Sequence, residues 1–280
     1  MKYFFFDVDG TLVNHEGQIA SSTKIAIQEL YQQGHKIFLA TGRNKAGIMS
    51  EVFDLPIHGT ISSNGAHIEL NDKTIFQQAM DYDILVEVCQ DLMDHDADIL
   101  FSNYQHCLCT KRSREEFFPM NNPEDVRIHL FKEYYDTTVV IEGLADLQDV
   151  LVENLDFKNY KGDLPAFVER HSKYVRILPS SIEFEGQTGS GEVMGVGVTK
   201  GVGIRRLLEA VGGTAEESIA FGDGYNDFEM LDYVNIGVAM GNANDRLKKG
   251  ADYVTRDIND DGIYHALVEL GFIVNQEGRE

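Results

Sequence analysis

An unbroken apolar run over residues 3–6 ends in Asp7-Val8-Asp9-Gly10-Thr11. The next such run, 37–40, leads into Thr41-Gly42-Arg43, and the short run 60–62 leads through Ser63 into Asn64-Gly65. Near the other end of the chain, the run 218–221 closes on Gly222-Asp223-Gly224-Tyr225-Asn226-Asp227. Lys200 stands at the start of a helical pattern opened by Thr199-Lys200-Gly201. Carboxylates, a hydroxyl, a lysine and several glycines therefore share one kind of position, just past a strand or at a helix start. In doubly wound sheets that is where ligands bind.

Carboxylates pressed together repel and partly protonate unless a cation lies among them. Hard oxygen donors favour Mg²⁺, which keeps several waters and takes a few carboxylates plus a phosphate oxygen. The Thr41 hydroxyl, the Lys200 ammonium and the amides of a glycine turn suit phosphate oxygens. An aspartate is a competent nucleophile toward phosphorus, and a second aspartate two residues on can act as acid and base. Each fragment alone is ambiguous. A lysine before glycine is also an ordinary solvated helix start. The run 222–227 also has the look of an acidic calcium loop, although it lacks the remaining ligands of one.

The elements that must position these residues follow from the hydrophobic pattern. Residues 3–6, 37–40 and 60–62 read as fully buried strands. Between them lie a helix from Ser21 or Ser22, with Gly34 past its end, and a short helix over 46–53. Strand alternating with helix is the signature of an open parallel sheet covered on both faces. The rhythm returns with a helix over 201–211, strands at 218–221, 235–239 and 251–255, and a final helix near 264–270. The middle differs. Residues 98–101 and 106–110 read as a hairpin turning around Asn103, and 138–142 and 175–181 read as further strands. Gly186, Gly189, Gly191, Gly195 and Gly197 mark the return. The predicted fold is α/β, a doubly wound parallel sheet with an α+β module inserted. The predicted domains are 1–81 with 192–280 for the core, and 82–191 for the insert.

Composition narrows the function. With 24 Lys+Arg against 46 Asp+Glu the formal net charge is −22, which repels nucleic-acid backbone and anionic membrane at long range. Hydrophobic residues at 43% exclude a disordered chain. No apolar stretch is long enough to span a bilayer. Lys2 and the four apolar residues after it are too short for a signal segment, so a cytoplasmic protein is expected. Cys89, Cys107 and Cys109 make neither a disulfide framework nor a zinc site, and buried or half-buried thiols in a reducing cytosol are the expectation. The run His106-Cys107-Leu108-Cys109 splits by alternation, with the two cysteines on one strand face and His106 with Leu108 on the other.

Taken together, Asp7-Val8-Asp9-Gly10-Thr11, Thr41-Gly42-Arg43, Lys200-Gly201 and Gly222-Asp223-Gly224-Tyr225-Asn226-Asp227 resemble the four motifs of the haloacid dehalogenase superfamily of phosphohydrolases. Ser63-Asn64-Gly65-Ala66 and Val238-Ala239-Met240-Gly241-Asn242-Ala243 are similar to the Cof-type subgroup, and the resemblance spans nearly the whole chain. It implies a Rossmann-like core with a cap inserted between the second and third motifs. The interval between Thr41 and Lys200 is far longer than the core needs, which agrees. The glycine-rich stretch 191–199 departs from the usual approach to the lysine.

The resemblance implies roles as well. Asp7 would attack phosphorus and form an aspartyl-phosphate, and Asp9 would protonate the leaving oxygen and then activate water. Thr41 and Lys200 would hold phosphate oxygens, with the lysine also pairing with Asp7. Mg²⁺ would sit on Asp7, the Asp9 carbonyl and Asp223, with Asp227 orienting Lys200 or a metal-bound water. Gly10, Gly42, Arg43, Asn64 and Asn226 would line the phosphate side. For Arg43, Asn64 and Asn242, backbone capping stands open as the alternative. The acid at position 9 fits hydrolysis of small phosphate esters (sugar phosphates, nucleotides, flavin mononucleotide or pyridoxal phosphate). The other readings are a phosphomutase or phosphotransferase, and a phospho-ligand sensor without turnover. No partner beyond a small phosphorylated metabolite is implied, and the oligomeric state stays open.

Overall fold

The computed structural model describes residues 1–118, 120, 128–179 and 189–275, which form two compact units. Unit 1 comprises Met1–Gly42, Ile48–Ile75 and Thr199–Glu280, and unit 2 comprises Arg43–Gly47 and Phe76–Val198.

The chain begins with β1 (Tyr3–Phe6), α1 (Ser21–Gln32), β2 (Lys36–Ala40), β3 (Gly59–Ser62), β4 (His67–Leu70) and β5 (Lys73–Gln77). Every residue of β1 is buried. Its rings stack on neighbouring strands, Phe6 on Phe221 with centroids 4.9 Å apart and Phe5 on Phe38 at 5.2 Å. A strand buried on both faces needs cover on both, which is the habit of parallel sheets. The expected helix over 46–53 is instead two 3-10 turns, Lys45–Gly47 and Ser50–Asp54. Gly47 lies within the stretch and weakens an α-helix there. The hairpin β4–β5 was not anticipated. Its two-residue turn, Asn71-Asp72, has φ of 49° and 59°, the left-handed pair that suits a tight hairpin.

Unit 2 then supplies α2 (Tyr82–Asp94), β6 (Asp98–Ser102), β7 (Cys107–Cys109), α3 (Lys111–Phe117), α4 (Ile128–Thr137) and β8 (Val139–Val140). These are followed by β9 (Asn154–Lys158), α5 (Leu164–His171), β10 (Val175–Pro179) and β11 (Gly191–Gly195). The strands make a six-stranded sheet in the order β10-β11-β9-β6-β7-β8. It is antiparallel except where β7 pairs β8. Leu85, Val88 and Leu92 of α2 and Phe167 of α5 pack with Ile99, Phe101, Leu155, Phe157 and Val193, so both helices lie on one face. The expected strand end at 180–181 and Gly186 lie outside the described residues. The three thiols are free, and burial pushes that of Cys89 upward.

The opposite face of this sheet is polar near its centre. Asp156 of β9 and Glu192 of β11 are register partners, and like charges across a ladder repel. Burial first, and then the Glu192 charge, push the Asp156 carboxyl up to about 8.

Unit 1 resumes with α6 (Lys200–Val211), β12 (Ser218–Gly222), α7 (Phe228–Tyr233), β13 (Ile236–Ala239), α8 (Asp245–Gly250), β14 (Tyr253–Val254) and α9 (Gly262–Glu269). Its eight strands run β14-β13-β12-β1-β2-β3-β4-β5. From β14 to β3 each neighbouring pair is parallel, and β4 turns antiparallel to β3. Helix α6 packs with α7, and α1 packs with α9. This is the doubly wound α/β architecture read from the pattern.

Two glycines set how closely α6 approaches its neighbours. A Cβ on Gly201 would lie 2.3 Å from the Glu229 carbonyl oxygen, and one on Gly203 would lie 2.5 Å from Ile61 Cγ2. Gly201→Ala is expected to destabilise the protein by about 1–3 kcal/mol in urea unfolding, although alanine ordinarily favours a helix. For Asp156, the raised pKa means the folded state binds the extra proton. Its contribution to stability is therefore lost as pH rises from about 4 to about 8. Asp156→Asn should flatten that part of the stability–pH curve, and an unchanged slope would contradict the assignment.

Candidate active site

Register alone gathers the motif residues of unit 1. Phe6 of β1 is level with Phe221 of β12 and Leu39 of β2. The residues that follow, Asp7, Gly222-Asp223 and Ala40-Thr41, therefore emerge side by side. The Asp7 amide donates to the Phe221 carbonyl at 3.0 Å, and the Thr41 amide donates to the Ile61 carbonyl at 2.8 Å.

Lys200 is delivered from the first turn of α6. The Thr199 hydroxyl caps that helix by accepting from the Val202 amide at 3.1 Å. Gly65, with φ of 102°, presses against the Thr199 carbonyl so closely that a Cβ would lie 2.4 Å from its oxygen. The end of β3 and the start of α6 thus fix one another. The Lys200 ammonium is fully buried and donates to Asp7 Oδ1 and Asp227 Oδ1, each at 2.6 Å. Burial alone would lower its pKa, but the charges of Asp227 and Asp7 outweigh burial and hold the ammonium above the ordinary lysine value.

Asp227 is engaged on both oxygens. Its Oδ2 accepts from the amides of Asp223 at 2.9 Å and Gly224 at 2.8 Å, so the loop folds over its carboxylate. Asp223 accepts at Oδ1 from the Thr11 hydroxyl at 2.9 Å. The first motif carries no role for Thr11 when read from the sequence, and its hydroxyl one residue past Gly10 is the signal that could have given one. Gly10, with φ of 79°, lies so near that a Cβ would meet the Asp223 carboxyl at 2.3 Å. Asp9 is exposed, and its charge raises the pKa of both Asp7 and Asp223.

Oxygen atoms of Asp7, Asp223 and Asp227 all lie within 4.8 Å of one another. Burial is the largest cause that raises Asp7 well above the carboxylate range; Lys200 opposes it, and the neighbouring aspartates reinforce it. Burial, followed by the Asp227 charge, pushes Asp223 up to about 7. One lysine does not neutralise this cluster. The donor set, all hard oxygens with surplus negative charge, fits a small divalent cation.

On the other flank, the Asn64 amide donates to the Thr41 carbonyl at 3.0 Å. The Asn226 side-chain amide donates to Asn64 Oδ1 at 3.0 Å. A Cβ on Gly42 would lie 3.2–3.3 Å from the side-chain amides of both asparagines. Asn64 itself is left-handed, with φ of 54° and ψ of 23°, a strained conformation that is found at functional loops. Asp7, Asp9, Gly10, Thr41, Gly42, Asn64, Lys200, Asp223, Asn226 and Asp227 thus all belong to unit 1. Arg43 belongs to unit 2, where it donates to the Gly47 carbonyl at 2.6 Å and to the Tyr134 hydroxyl.

The core is doubly wound, with carboxylates at the carboxyl ends of its parallel strands and a buried lysine from a helix start among them, where ligands bind in such folds. The chain belongs to the haloacid dehalogenase-like hydrolases, whose family model matches residues 4–267. It is 29% identical over 277 residues to YkrA of Bacillus subtilis, which is named as a candidate phosphatase; the match covers 97% of this chain and 98% of that one. It is 27% identical to the B. subtilis 5-amino-6-(5-phospho-D-ribitylamino)uracil phosphatase YcsE, over 95% and 94% of the two chains. Among solved structures, the subclass IIB sugar phosphatase BT4131 superposes with a TM-score of 0.80 at 28% identity, covering 98% of this chain and all of that one. No helix among the described residues is long and apolar enough to cross a membrane.

Removing the buried ammonium strands two carboxylates. Lys200→Met is expected to lower the stability of the metal-free protein by about 3–5 kcal/mol near neutral pH. The loss should shrink at lower pH as the stranded carboxyls take up protons. Denaturant unfolding at several pH values reads both effects.

Proposed function

We propose that this protein is a Mg²⁺-dependent phosphatase that hydrolyses small phosphate monoesters through an aspartyl-phosphate on Asp7. The observation that carries the reading is the fully buried Lys200 ammonium held between Asp7 and Asp227, with Asp223 beside them. Lys200 aims the Asp7 carboxyl through the bond to Oδ1 at 2.6 Å and opposes the rise that burial imposes on its pKa; a cation bound beside it would favour the ionised form that a nucleophile toward phosphorus needs. Asp9 is exposed and two residues on from Asp7, and its role is to give a proton to the leaving oxygen and later take one from water. Thr41 and Lys200 bind phosphate oxygens, and Gly10, Gly42, Asn64 and Asn226 shape that side of the pocket.

Asp7, the Asp9 carbonyl and Asp223 would hold Mg²⁺, which when bound supplies positive charge for the transferring group. Asp227 has both oxygens committed to Lys200 and to two amides. Its role is to hold the lysine and the 222–227 loop. Selection of the alcohol is assigned to the inserted module of unit 2.

The substrate class favoured is a phosphate on a polyhydroxylated carbon chain. The names of two relatives support this, one a sugar phosphatase and the other acting on a phosphoribityl compound. Phosphate release from p-nitrophenyl phosphate should need Mg²⁺ and should stop with a chelator. Asp7→Asn should lower it by about three orders of magnitude or more. In a metabolite panel, sugar and ribityl phosphates should rank above nucleotides by kcat/KM. An Asp7→Asn protein that keeps full activity would defeat the reading.

A further inference from the structure

The loop that carries the first motif is tied down by residues from the far end of the chain. The Asn242 side-chain amide donates through Nδ2 to the Gly10 carbonyl at 2.7 Å. Its Oδ1 accepts from the Ile258 amide at 3.0 Å. Only one orientation of the amide satisfies both partners, since one needs a donor and the other an acceptor, and the planar carboxamide offers one of each.

The base of this tie is firm. The Gly241 amide donates to the Arg256 carbonyl at 2.8 Å. A Cβ on Gly241 would lie 2.3 Å from the Asp257 amide nitrogen, so the 240–243 and 256–258 segments are in direct backbone contact.

We propose that Asn242 is a positioning residue for the cation site, acting through the Asp9–Thr11 turn. Resting on the Mg²⁺ reading above, the inference assigns a residue outside the acidic cluster to its affinity. Gly10 is in the left-handed region, a conformation that has to be held open. Fixing the Gly10 carbonyl fixes the peptide plane between Gly10 and Thr11. Upstream lies the Asp9 carbonyl, assigned to the cation. Downstream lies the Thr11 hydroxyl, which orients the Asp223 carboxylate at 2.9 Å. One side chain thereby holds two donors of the cation site in register. A second tie, from Asn14 Nδ2 to Asn259 Oδ1 at 3.1 Å, joins the same two stretches of chain but does not touch the turn.

The test is Mg²⁺ titration of the metal-free protein by calorimetry, without substrate, on wild type, Asn242→Ala, Asn242→Leu and Asn14→Ala. Asn242→Leu keeps the approximate shape of the side chain and removes both bonds without adding charge. Both Asn242 variants should bind Mg²⁺ about tenfold or more weakly, the usual loss when an outer-shell partner is removed. Asn14→Ala should bind as wild type does. Wild-type affinity in Asn242→Leu would overturn the proposal while leaving the phosphatase reading intact. An equal loss in Asn14→Ala would also overturn it, by showing that any loosening of the segment suffices. A wild-type protein that takes up no Mg²⁺ would remove the metal reading itself, and this inference with it.

Discussion

A lysine ammonium with no access to water must find its charge partners inside the protein. In this fold Lys200 finds two, Asp7 and Asp227, each at 2.6 Å. That requirement constrains a good part of unit 1. Asp7 arrives from the central strand, Asp227 from the loop beyond the neighbouring strand, and Lys200 from the first turn of a helix. All three must meet within the reach of one side chain. The parallel register of β1 with β12, the Thr199 cap and the close approach at Gly65 and Gly201 serve this meeting. A small error in any of them would leave a buried charge unpaired, which costs several kcal/mol.

The same cluster gives the acidic composition a local meaning. A net charge of −22 makes the average surface unwelcoming to anions. At the strand ends, however, the excess of carboxylates over ammonium is the condition under which a divalent cation is held, and a bound cation inverts the local field. The acidity that repels polymers of phosphate is thereby compatible with binding a single small phosphate. The first motif is also braced from residues 242–259, so the two ends of the chain complete one site.

Unit 2 solves a different problem. Its six-stranded sheet has α2 and α5 packed on one face and a polar centre on the other. Asp156 and Glu192, paired across that face, work against stability when both are ionised. Asn154, two residues before Asp156, is buried, and its side-chain oxygen has no hydrogen-bond partner among the described residues.

Much of the core was legible because parallel strands buried on both faces appear as unbroken apolar runs. Residues 3–6, 37–40 and 218–221 could be read directly, and so could the acidic and glycine-rich turns that follow them. The failures have local causes. Asn71-Asp72 forms a tight turn only because both residues accept positive φ, and the strand after it is too exposed to show a pattern. Ser21 or Ser22 reads as the cap of α1, yet Ala20 is the residue at the N-cap, and the Ser22 hydroxyl bonds Asp261 instead. By itself the sequence determined the fold class, the order of the strands' endings and the kinds of group they carry, since these depend on residue type and periodicity. The tertiary structure alone decided which carboxylate faces the lysine, that Asp227 spends both oxygens on its own loop and Lys200, and that Asn242 reaches Gly10. Those are contacts between residues far apart along the chain, and no local pattern encodes them.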